Sequence, residues 1–84
     1  MLRILFFGRF REDLDCAELD IEFSELCATL DNLQQKLMAD GGERWSRVLG
    51  QDNVIRAVNQ AVADGNPELA DGDEIAFFPP VTGG

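Results

Sequence analysis

The two most apolar stretches of this chain lie near its opposite ends, LRILFF at Leu2 to Phe7 and EIAFF at Glu74 to Phe78. No other feature constrains the fold as tightly. In the first stretch Leu2, Ile4 and Phe6 share one face, while Leu5 and Phe7 share the other with Arg3; in the last, Ile75 and Phe77 fall on one face. A strand that is apolar on both faces belongs at the centre of a sheet or against a partner. Two such strands are hidden best side by side, parallel, with a helix packed across them.

The segment between them supplies that helix. Thr29 to Ala39 carries Leu30, Leu33 and Leu37 as one apolar stripe, with Thr29 as N-cap, Asp31 at the positive end of the dipole and Lys36 toward the other. Gly41-Gly42 stops it, and Glu43 to Leu49 reads as a short second helix with Trp45, Val48 and Leu49 turned inward. Glu18 to Phe23 alternates acid with Leu19, Ile21 and Phe23, the period of a strand with one wet face. Gly8 to Ala17 reads as the loop of a wide hairpin. Val54 to Val58 and Ala61-Val62 read as strands around an Asn59-Gln60 turn, followed by a loop to Asp71 and a turn at Asp71-Gly72-Asp73.

The resulting order, β β α (α) β β β, predicts an α+β fold. With the first and last strands paired it becomes the β-grasp (ubiquitin-like) arrangement: a mixed sheet, one principal helix packed across it, and a flexible C-terminal tail. Residues 1–78 make the domain and 79–84 the tail. Eighty-four residues leave no room for a second core. A chain this short buries only about 60–65% of its unfolded surface, so its stability margin is thin.

Sixteen acids against seven bases give a formal charge of −9. Such a domain repels nucleic acid and anionic membranes and suits basic partner surfaces. The two cysteines, Cys16 and Cys27, are too few for a disulfide framework and read as structural, small and partly buried side chains. Acidic neighbours around Cys16 raise rather than lower its pKa. The chain has no histidine, hence neither the commonest general base nor the commonest metal ligand. No metal site, no resident cofactor and no activity of the isolated chain are expected. No membrane span or signal peptide is visible, and a cytoplasmic location is the expectation.

The chemistry lies at the end of the chain. Pro79-Pro80 must end the last strand, and Val81-Thr82-Gly83-Gly84 follows. Pro79 to Gly84 fully extended spans roughly 20 Å. Two terminal glycines let the backbone enter a passage that any Cβ would block. The reactive group is then the terminal carboxylate. ATP converts it to an acyl adenylate; a sulfur nucleophile displaces AMP to leave a thiocarboxylate, or an amine displaces it to leave an amide. These residues permit either.

Asp71 to Gly84 (DGDEIAFFPPVTGG) closely resembles the C-terminus of molybdopterin synthase small subunits, as do Leu5 to Glu12 (LFFGRFRE) and Ala57 to Gln60 (AVNQ). The middle of the chain, residues 13–53, matches mainly in pattern. The resemblance implies a sulfur carrier whose Gly84 is adenylated by an E1-like adenylating enzyme, with ATP consumed there. A sulfur-donating enzyme then makes the thiocarboxylate. It also implies that the tail enters the molybdopterin synthase large subunit, in a heterotetramer, and delivers sulfur to cyclic pyranopterin monophosphate. On that reading Gly83 gives access to the tunnel, and Pro79, Pro80, Val81 and Thr82 line up the tail. Phe7 and Phe78 are the candidate docking residues, since both sit on the less filled face. The alternatives are a carrier for thiamine or tRNA thiolation, a ubiquitin-like protein modifier, and a binding domain with an idle tail.

Overall fold

The computed structural model describes residues 1–80; Val81, Thr82, Gly83 and Gly84 lie outside the described residues. Among residues 1–80 the elements are β1 (Leu2–Phe6), α1 (Arg9–Asp13), β2 (Glu18–Ile21), a 3-10 turn (Glu25–Cys27), α2 (Leu30–Leu49), β3 (Ile55–Val58), β4 (Ala61–Val62) and β5 (Glu74–Phe78). The strands form one sheet in the order β2-β1-β5-β3-β4. β1 and β5 sit at its centre and run parallel, with Ile4 opposite Ile75 and Phe6 opposite Phe77. The other three pairings are antiparallel. This is the mixed β-grasp sheet expected from the two apolar strands.

The core lies between one face of the sheet and α2. Leu2, Ile4, Phe6, Ile75 and Phe77 project from β1 and β5 and are fully buried, as are Leu30, Leu33 and Leu49 from α2. Phe6 stacks on Phe77 with centroids 5.8 Å apart and receives the edge of Trp45 at 5.3 Å. Arg56 reaches from β3 to the start of α2, donating to Asp31 at 2.6 Å, to Gln34 at 3.0 Å and to the Gly65 carbonyl at 2.8 Å.

Local signals explain the element ends. Thr29 caps α2 by accepting from the Asn32 amide at 3.2 Å. Asn59 and Gln60 both take positive φ, 50° and 71°, the geometry of the tight turns that suit hairpin twist. α2 is kinked at Gly42, whose φ of 83° and ψ of −166° are not helical, so Leu30–Leu49 is two helical segments in one continuous element. The kink lets Trp45 turn back over the core. A Cβ on Gly41 would lie 2.3 Å from Trp45 Cγ. Gly41→Ala is therefore expected to push Trp45 off Phe6 and to cost about 1–3 kcal/mol, as overpacking does. Thermal unfolding checks this, since each kcal/mol lowers Tm by roughly 4–8 °C in a domain of this size. An unchanged Tm would show that the helix shifts freely at the kink.

The structure corrects three expectations. The stretch 8–17 is not only loop: α1 occupies Arg9–Asp13 and contributes the fully buried Phe10, with Leu14 just beyond. Residues four apart share a helix face, and these two plug the end of the core. The second strand stops at Ile21 rather than Phe23, because Ser24 caps the 3-10 turn by accepting from the Leu26 amide at 3.2 Å. Cys27 is fully buried rather than partly so, while Leu26 beside it is 70% exposed.

Candidate functional site

The face of the sheet away from α2 is open, and strand register fixes what it displays. Leu5 pairs with Ala76, Ala76 with Ala57, and Ala57 with Val62, so one apolar row crosses from β1 to β4. Phe78 pairs with Ile55 one pleat further on. Phe7 then lies flat on Phe78, with centroids 4.8 Å apart and planes 8° from parallel. Both aromatics are half-buried, and Val62 at the edge is 75% exposed. Toward the other end the face becomes charged: Arg3 donates to Glu18 at 2.6 Å, and Glu74 pairs with Arg3 across the strands. Glu18 holds the Arg3 guanidinium above its ordinary pKa through its hydrogen bond and its charge.

The tail leaves from the apolar end. Phe7 donates its backbone N–H to the Phe77 carbonyl at 3.1 Å, extending the β1–β5 ladder to the last turn of the strand. Pro79 follows Phe78 and packs on Gly8. A Cβ on Gly8 would stand 3.1 Å from Pro79 Cγ, and Gly8 has φ of +59°, so both space and conformation select glycine there. Pro79 and Pro80 are half-buried. Pro79 is thus seated on Gly8, directly after the Phe7–Phe78 stack.

Of the residues singled out from sequence, the structure brings Phe7, Phe78, Pro79 and Pro80 together. Val81, Thr82, Gly83 and Gly84 lie outside the described residues. Sequence reasoning missed Gly8 as the seat of Pro79, and it missed Ile55, Ala57, Val62 and Ala76 as members of the apolar face. Alternation within β3 and β5 carried the signal for Ile55, Ala57 and Ala76, but only strand register places them beside one another and beside Val62 of β4.

Elsewhere, chemistry-bearing groups are structural. Cys16 and Cys27 are both free thiols. Burial is the main cause raising the Cys16 pKa, with Asp15 and Glu18 adding their charges, so acidic neighbours are a secondary cause rather than the leading one. The Cys27 thiol accepts from the Ser24 amide at 3.4 Å and lies 3.6 Å from the Glu22 carbonyl, which ties the 3-10 turn to the core. Among the described residues no group of three acidic or cysteine side chains is placed to hold a metal ion, and no helix is long and apolar enough to cross a membrane.

A mixed β-grasp sheet with one principal helix packed across it and an apolar open face defines a ubiquitin-like domain. The model of the ThiS family matches residues 4–84, and the chain belongs to that family. It is 40% identical over 86 residues to the molybdopterin synthase sulfur carrier subunit of Escherichia coli strain K12, covering the whole of both chains. It is 38% identical to the protein of the same name from Haemophilus influenzae, again over the full length of both. Among solved structures, the protein–protein complex of subunits 1 and 2 of molybdopterin-converting factor from Helicobacter pylori contains a chain that superposes with a TM-score of 0.66. That chain is 28% identical, and the match covers 99% of this chain and 97% of that one.

Proposed function

We propose that this chain is the sulfur carrier subunit of a molybdopterin synthase. The observation that carries this reading is the match to a sulfur carrier subunit at 40% identity that covers all of both sequences. In the reaction, ATP held by an E1-like adenylating enzyme takes the Gly84 carboxylate to an acyl adenylate, releasing pyrophosphate. A sulfur nucleophile delivered by a sulfur-donating enzyme displaces AMP and leaves the thiocarboxylate. The tail then enters the large subunit, where the thiocarboxylate sulfur bonds to a carbon of cyclic pyranopterin monophosphate as a carbon–oxygen bond at that carbon breaks and the oxygen leaves. Water then cleaves the acyl carbon–sulfur bond, leaving the sulfur on the pterin and returning a carboxylate to Gly84. Two such transfers supply the two sulfurs of a dithiolene. ATP is used by the activating enzyme, and the carrier holds no cofactor of its own. A cytoplasmic location suits these partners.

The surface around the end of β5 supports the reading. The Phe7–Phe78 stack and the row from Leu5 to Val62 form an apolar surface from which the tail departs, so docking of this face aims the tail. Apolar cores surrounded by polar rims are the usual build of a specific interface. The Arg3–Glu18 end is the polar rim on one side.

The test is intact mass after incubation with ATP, an activating enzyme and a sulfur donor. The expected product gains the mass of sulfur in exchange for oxygen. Adding the large subunit and pyranopterin precursor should then discharge it. No mass change, with an activating enzyme that works on a known carrier, would overturn the proposal. Lysine adducts in place of a thiocarboxylate would favour a protein modifier. Cys16→Ser with Cys27→Ser should leave sulfur transfer intact, because the transferred atom rides on the C-terminus. Loss of transfer by a double variant with a native circular dichroism spectrum would place the sulfur on a thiol instead.

A further inference from the structure

A second surface lies on the helix side of the sheet, at the β2 edge. β2 is an outer strand. Its partner bonds alternate, and Phe6 donates its amide to the Ala17 carbonyl at 2.9 Å, with Ile4 opposite Leu19 and Leu2 opposite Ile21. That phase turns the amides and carbonyls of Leu19 and Ile21 toward β1 and those of Asp20 away from it. Leu19 and Ile21 project to the helix side, yet α2 covers them only in part, and both remain half-exposed. Beside them a cavity of about 260 Å³ is lined by Leu19, Ile21, Leu37, Gly41 and Trp45, with Asp40 at the rim. A more polar hollow of about 510 Å³, sharing Ile21 and Asp40, continues it along Glu22, Phe23 and Ser24, with Lys36 on its helix side ion-paired to Asp40 at 2.8 Å. Together they make a trough that follows the free edge.

We infer that this trough takes an extended peptide segment of another protein, added as a strand to β2, in which apolar residues alternate with Lys or Arg. The geometry dictates both halves of that pattern. Residues of an added strand opposite Leu19 and Ile21 direct their side chains into the trough; residues opposite Glu18, Asp20 and Glu22 come out on the other side, against carboxylates. A second copy of this chain is a poor occupant, because pairing β2 with β2 sets like charges across the new ladder in a protein of formal charge −9. Acidic residues on the edge thus refuse self-association while accepting a basic strand. The site is separate from the tail, since β1 lies between β2 and β5. The peptide's basic side chains meet Glu18 and Asp20 beside Arg3, at the polar rim of the open face.

The experiment is a titration of the full-length 15N-labelled chain with a capped synthetic peptide of alternating Lys and Val, six residues long. Binding with Kd at or below ~1 mM is expected. It should shift the Asp20 amide and protect it from hydrogen exchange, and it should change the fluorescence of Trp45. Asp20→Lys, an exposed substitution that leaves the core untouched, and Ile21→Glu should each weaken binding by roughly tenfold. A peptide with Glu in place of Lys should not bind. The inference is overturned by an absence of shifts, by shifts centred on Phe7 and Phe78, by equal binding of a peptide with Ser in place of Val, or by unchanged affinity in a folded Asp20→Lys. Because no activating enzyme or large subunit is used, either result leaves the sulfur-carrier reading untouched.

Discussion

Phe78→Asp is expected to weaken binding to a molybdopterin synthase large subunit by at least ~100-fold, the loss typical of a central aromatic anchor. The isolated domain should still fold. Phe78 lies flat on Phe7 at 4.8 Å on the open face, and neither ring belongs to the buried core between sheet and α2. An aspartate there meets solvent in the free protein but must be desolvated, without a partner charge, on docking. Phe7→Ala removes the other half of the stack and should likewise weaken binding more than folding. Calorimetric titration against the large subunit, paired with a thermal melt of each variant, separates the two effects. A large fall in Tm with nearly unchanged affinity would reassign both rings to core packing.

The central sheet could be read from residue order because β1 and β5 are apolar on both faces, and few arrangements bury two such strands. The Gly41-Gly42 break was equally visible, since glycine at a kink needs no tertiary context. α1 was not: Arg9–Asp13 is barely more than a turn, and Gly, Arg and Asp around it read as loop. Only Phe10 and Leu14, four residues apart, marked it. The same division runs through the site. Alternation put Phe7 and Phe78 on the less filled face, but their contact depends on the parallel register that sets Phe6 beside Phe77. The fit of Pro79 over Gly8 depends on that register too, and no local signal announces it. The chemistry of the tail was the reverse case. Pro-Pro followed by Gly-Gly is explicit in the residues, and nothing about it required a folded partner to be noticed.

Deleting Gly84 should abolish thiocarboxylate formation, a loss of at least ~100-fold, while Tm stays that of the full chain. Among the described residues the buried core ends at Phe77 in β5, seven positions before the deleted one. What it changes is reach. One residue of extended chain spans about 3.3–3.6 Å, and a shift of even ~1 Å from reacting geometry can cost 100-fold. The shortened chain still ends in a glycine carboxylate, Gly83, so the variant isolates position from chemical identity. A Gly83→Val variant makes the complementary change: the carboxylate keeps its position and the backbone gains a branched side chain where close approach is required. Both should fail in the mass assay with ATP, activating enzyme and sulfur donor, the first through distance and the second through width. Thiocarboxylation of the truncated chain at the full-length rate would mean that the activating site reads the docked domain and tolerates slack in the tail. The Phe7–Phe78 face would then carry most of the selectivity.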